Sequence, residues 1–93
     1  MSNDQLRFQA AIGVEVKGEV WSCVEIPESV DFFGSGKTAR VDATVDEVLL
    51  SNVGAMPTGD GGHMISLNAT VRKALGKGVG DTVEVTISKR RPA

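Results

Sequence analysis

The sequence is poor in the residues that most often carry chemistry. It has one cysteine, one histidine, no tyrosine, and only Trp21 and three phenylalanines as aromatic side chains in 93 residues. A single thiol, Cys23, cannot build a disulfide framework and suits a reducing cytosol. So few rings argue against a platform on which nucleic-acid bases stack. One His and one Cys fall short of the three or four donors a zinc site needs, so no metal or other cofactor is expected. Long apolar runs are missing too. None approaches the ~20 residues that a spanning helix takes, and no membrane partner is expected. Met1 to Gln5 carry no positively charged, apolar leader pattern, so the expected location is the cytoplasm. Neither charge dominates: the net charge is −2, which gives no global attraction to nucleic acid or anionic lipid.

A chain of 93 residues makes one domain. It buries somewhat over ~60% of its unfolded surface, which leaves room for stabilisation by a homodimer. Residues 1–5 and 90–93 are expected as flexible ends. The 41% apolar content with mixed charges is that of a globular protein.

Period-two alternation dominates what is present. Leu6, Phe8, Ala10, Ile12, Val14 and Val16 share one face, with Arg7, Gln9, Glu15 and Lys17 opposite, which predicts one long half-buried strand. Gly18-Glu19 then predicts a turn into a second strand from Val20 to Ile26. Pro27 suits the first position of a short helix, Val30 and Phe33 share its face, and Gly34 suits its left-handed stop. Val41, Ala43 and Val45 alternate in a third strand. Residues Asp46 to Asn52 could continue a strand or bend around a barrel corner, and Gly54 to Gly62 reads as the most mobile loop. Met64 to Leu67 is a short strand entering a second helix capped by Asn68. Val71, Ala74 and Leu75 form that helix's apolar face, Arg72 and Lys73 point outward, and Gly76 stops it. Gly80-Asp81 makes a turn in which the Asp81 carboxylate accepts backbone N–H bonds. Val83, Val85 and Ile87 line the last strand.

Gly34, Gly36, Val41, Ala43 and Val45 match Gly76, Gly78, Val83, Val85 and Ile87 at a constant offset of 42. Repetition of one strand–helix–strand unit implies a pseudo-twofold barrel, and closure removes exposed strand edges. The fold class expected is mainly β: a small closed or partly open barrel with two short helices.

The run Val71-Arg72-Lys73-Ala74-Leu75-Gly76 followed by Gly80-Asp81-Thr82-Val83-Glu84-Val85 resembles the end of a bacterial family, domain of unknown function nineteen-oh-five. Phe8, Ala10, Trp21, Pro27, Gly34 to Lys37 and Gly61-Gly62-His63 fit the same pattern in order, so the resemblance covers about Leu6 to Lys89. It implies a double-split, swapped-hairpin β-barrel, distantly similar to AbrB-type transcription regulators, and no known activity. Some relatives carry a further C-terminal segment; with Pro92-Ala93 ending the sequence, none is expected here. Residues Val45 to Val53 depart most from the family pattern, where a turn glycine is usual.

Several motifs dissolve on inspection. Gly34-Ser35-Gly36-Lys37-Thr38 looks like the end of a phosphate-binding loop, but the glycine required five residues before Gly36 is Asp31, and the flanking elements are reversed. Asp60-Gly61-Gly62-His63 brings one carboxylate and the histidine together without further ligands or a third triad member. Cys23 has nothing nearby in sequence to lower its pKa.

The reading that results is a non-catalytic binding or structural module with no assigned partner. Two alternatives stay open. One is an AbrB-like dimeric DNA binder using Arg40, Arg72, Lys73, Lys89, Arg90 and Arg91 against phosphates. The other is a small-ligand domain or enzyme with a pocket near His63 and Trp21.

Overall fold

Alternation decides where the strands form, and residues in the left-handed region decide where they end. The computed structural model describes residues 5–34, 36–59 and 61–89. Along the chain come β1 (Gln5–Ala11), β2 (Val14–Val16), β3 (Glu19–Trp21), β4 (Cys23–Ile26), α1 (Ser29–Phe33), β5 (Ala39–Val45), β6 (Val48–Pro57), β7 (His63–Ser66), α2 (Ala69–Leu75) and β8 (Thr82–Lys89). Six strands form one antiparallel sheet in the order β1-β8-β5-β6-β7-β4, and β2-β3 is a separate ribbon. The two edge strands approach each other, and Gly13 N donates to Cys23 O at 2.7 Å across the seam. The result is the expected mainly-β barrel, nearly closed, with two short helices.

The inner faces of β5 and β8 supply Val41, Ala43, Val45, Val83, Val85 and Ile87, all buried, as their alternation requires. Val24, Ile26, Ile65 and Leu67 meet them from β4, β7 and the residue after β7. Each such side chain contributes about 1.5–3 kcal/mol by leaving water. Phe32 and Phe33 of α1, and Val71 and Leu75 of α2, pack against this core from outside the sheet. On the barrel's outer surface a second, smaller cluster joins Cys23, Met64 and Met56 to Val14 and Val16 of the ribbon.

The repeat predicted by the 42-residue offset is visible in the strand register. Val45 pairs with Val48 and Ala43 with Leu50. Ile87 pairs with Leu6 and Val85 with Phe8, each residue 42 positions from its counterpart. Thr44 and Thr86 face each other as direct partners, so the rotation axis passes between them. Gly34 and Gly76 end α1 and α2 in the same left-handed conformation, with φ of 76° and 68°. The rotation places α1 at one end of the barrel and α2 at the other.

Several expectations are corrected. The first strand is not continuous to Val16: Gly13 (φ 132°) breaks it, and β2 leaves the barrel to pair with β3. The hairpin turn is Lys17-Gly18, both at positive φ (51° and 82°) as a two-residue type I′ turn requires, one residue earlier than expected. The second strand divides at Ser22 into β3 and β4. Pro27 precedes α1: it follows the last paired residue of β4, and Glu28 at φ 54° turns the chain so that the helix begins at Ser29. Val30 is exposed, and the adjacent Phe32 and Phe33 supply the helix's packing instead. Gly54 to Pro57 is strand, since Arg40 pairs with Gly54 and Met56 with Met64. Only residues 58–62 connect β6 to β7, closed by Thr58 N donating to Gly62 O at 3.0 Å. Gln5 begins β1 rather than a loose end, and residues 1–4 and 90–93 lie outside the described residues.

Candidate functional site

His63 ends its search for a role in the core. It is 0% exposed. Its Nε2 lies 2.8 Å from Lys37 O, a pure acceptor, so Nε2 carries the proton. In the neutral ring Nδ1 then accepts from Ser29 Oγ at 2.8 Å. Phe33 stacks edge-on at 4.7 Å between centroids. Both nitrogens are committed, and the residue ties β7 to α1 and to the segment leading into β5. Trp21 lies on the ribbon beside the start of β4, whereas His63 pairs with Ile26 at the end of β4. Roughly 15 Å of strand separates the two positions, so the structure does not bring the expected pocket together. The look-alike of a phosphate loop lies between α1 and β5, helix before strand, the reverse of the true loop, and Lys37 contributes its carbonyl to His63.

The basic residues fare differently from expectation. Arg72 is half-buried and its Nε donates to Leu67 O at 3.0 Å, so it locks α2 to the end of β7 rather than pointing outward. Lys77 bonds Asp46 Oδ2 and Thr82 O, both at 2.8 Å. Lys89 sits over the Phe32 ring at 4.7 Å, a cation–π contact. Arg40 and Lys89 lie at the α1 end of the barrel, because Lys89 pairs with Val41. Arg72 and Lys73 belong to α2. Arg90 and Arg91 lie outside the described residues.

One of those cations does sit in a built environment. A groove of about 630 Å³ lies on the outer face of β5 and β6, extending to where β7 diverges from β6 beyond the Ala55–Ile65 pair. Arg40 lies along it. Its Nε donates to Asn52 Oδ1 at 3.0 Å and its Nη2 to Asn52 O. Asn52 can offer both acceptors because β6 bulges there: Ser51 and Asn52 together oppose Asp42, and Asn52 adopts φ 55°. Asp42 Oδ1 fixes the bulge by accepting from Asn52 N at 2.9 Å and Ser51 Oγ at 3.5 Å. Gly54 forms the floor; a Cβ there would stand 3.3 Å from Arg40 Nη1. Thr38, Met56 and Ser66 complete the walls.

The pseudo-twofold mate of this region lacks all of it. There β1 and β8 pair without a register shift, and Thr82 occupies the place of Arg40. Sequence reasoning named Arg40 for its charge and missed Asn52, Gly54, Thr38 and Ser66. The available signal was a glycine inside a strand just after an asparagine, a pattern that marks a bulge and a close approach.

Cys23 and Asp81 behave as local structure. Cys23 is 2% exposed; burial pushes its thiol pKa up, partly offset by a hydrogen bond with Ser66. The Asp81 carboxylate accepts from Gly78 N at 2.9 Å, the predicted turn bond.

Fold and groove together define a small pseudo-symmetric β-barrel with an asymmetric groove on its outer face. The chain matches the family described as domain of unknown function (DUF1905) over residues 8–87 and belongs to that family. No curated protein matches it. Among the described residues no helix is long and apolar enough to cross a membrane.

Proposed function

We propose that this protein is a non-catalytic binding module whose ligand seat is the groove over β5, β6 and β7, with Arg40 as its anchor. The observation that carries this reading is the effort spent on one exposed guanidinium. A bulge, a left-handed Asn52 and a strand glycine, all absent from the symmetry-related half, hold it in place. Left-handed non-glycine residues cost free energy, and bulges re-aim side chains, so their coincidence at a groove favours function over chance. Among the described residues the groove lining includes no carboxylate, lysine, histidine or thiol, which supports binding over proton-transfer chemistry.

The test is a two-dimensional amide NMR spectrum recorded while a broad panel of small anions, neutral metabolites and duplex DNA is added in turn. Saturable shifts gathered at Arg40, Asn52 to Gly54 and Ser66 are the expected result. A panel that leaves those amides still, or DNA shifting a different surface at low salt, overturns the assignment of the seat.

A further inference from the structure

We infer that the groove takes a ligand ending in a single carboxylate with an apolar body next to it; this rests on the reading of the groove as the binding seat. A guanidinium offers five N–H donors along its edges. The edge formed by Nε and Nη2 is occupied by the two acceptors of Asn52. What remains is the edge formed by Nη1 and the second hydrogen of Nη2, lying over Gly54. That edge presents two parallel donors in one plane, the spacing that matches the two oxygens of a carboxylate.

Charge points the same way. Among the described residues of the groove lining, Arg40 is the one cation. One positive charge matches a monoanion. Beside the fork, Met56 gives an apolar wall, and methionine adapts to irregular partners. Hydroxyls of Thr38 and Ser66 flank it. A free carboxylic acid and the C-terminus of a peptide share this chemistry.

The experiment titrates the intact protein, followed by amide NMR, with octanoate, octanamide and octyl phosphate. In parallel the acetylated tripeptide Ala-Leu-Val is added as free acid and as C-terminal amide. Octanoate is expected to shift the groove amides saturably and to bind at least about tenfold more tightly than octanamide, the increment of a charge-assisted pair. Arg40→Lys, which keeps the charge and loses the planar edge, weakens octanoate by a comparable factor, while resonances outside the groove stay in place. Gly54→Ala, whose methyl crowds Nη1, weakens it in a fold that keeps Arg40. The free-acid peptide binding more tightly than octanoate identifies a chain terminus as the source, and the reverse order identifies a small acid. If octanamide binds as well as octanoate, or octyl phosphate binds more tightly, the carboxylate assignment is overturned while the groove remains a seat. If no member of the panel moves the groove amides, the carboxylate assignment falls, and the broad panel of anions, metabolites and DNA decides the seat.

Discussion

His63 shows how a residue type that suggests chemistry can serve packing alone. Its ring is wholly buried, and both nitrogens are spent on Ser29 and Lys37 O. His63→Leu fills a similar space but strands two buried polar partners, a loss of about 2–4 kcal/mol. Ser29→Ala removes one bond and costs about 1–3 kcal/mol. Urea denaturation of both variants checks the order, and a His63→Leu protein as stable as the parent would refute the staple. Asp46 is the second informative residue. Lys77 Nζ and Glu84 N both donate to its carboxylate, and these bonds hold its pKa below the ordinary aspartate range. A carboxyl depressed in the folded state stabilises the fold above its unfolded pKa, and the contribution disappears as pH falls through the folded value. Asp46→Asn, which tolerates the same φ of 52°, is therefore expected to lower stability at pH 7, and the difference from the parent shrinks as pH falls below the ordinary aspartate range. Denaturation midpoints across that range measure it. Neither role was readable in the sequence, because each depends on partners 26 to 38 positions away that only the barrel brings near.

At the scale of elements, the sequence is most legible where a rule is local. Asn68 caps α2 by accepting from Val71 N at 2.9 Å, and Gly34 and Gly76 stop the two helices, all as their residue types dictate. Alternation located β5 and β8 for the same reason. It failed in the first strand, since an unbroken pattern does not reveal that Gly13 sends β2 away from the barrel to cover a second apolar cluster. It failed again at Gly54 to Pro57, where loop-forming residue types are held in strand by pairing on both sides. The groove was the least legible part, because it arises from a bulge that depends on the register between β5 and β6. If the two helix stops are equivalent, Gly34→Ala and Gly76→Ala should each cost about 1–2 kcal/mol for a left-handed alanine. Thermal melts of the pair test this, and a loss confined to one of them would mean that the two ends carry unequal loads.

The whole molecule is two interlocked copies. Residues 5–45 contribute β1, β4 and β5 to the barrel, and residues 48–89 contribute β6, β7 and β8. Of the ladders in the six-stranded sheet, only β6–β7 lies within one half; β1–β8, β8–β5, β5–β6 and β7–β4 all cross between halves. Neither half can satisfy its backbone alone, and unpaired ladders are costly. Fragments 1–46 and 47–93 are thus expected to be unfolded separately and to regain a cooperative β-type circular-dichroism melt when mixed in equal amounts. A fragment that folds by itself would contradict the interlocked design. The 42-residue offset carries this architecture in the sequence, whereas the asymmetry that carries the groove lies in the residues where the copies differ.

The ribbon β2–β3 lies over Cys23 like a cover over a clock. The thiol is sealed beneath Val14 and Val16 and has its pKa raised by burial, so a disulfide reagent can reach it only when the cover lifts. Its labelling rate therefore times one local opening of the molecule, with no probe to install. Val16→Ser should quicken that rate by far more than it lowers the global melting point. Labelling that tracks global stability alone would mean that the ribbon opens only when the barrel does.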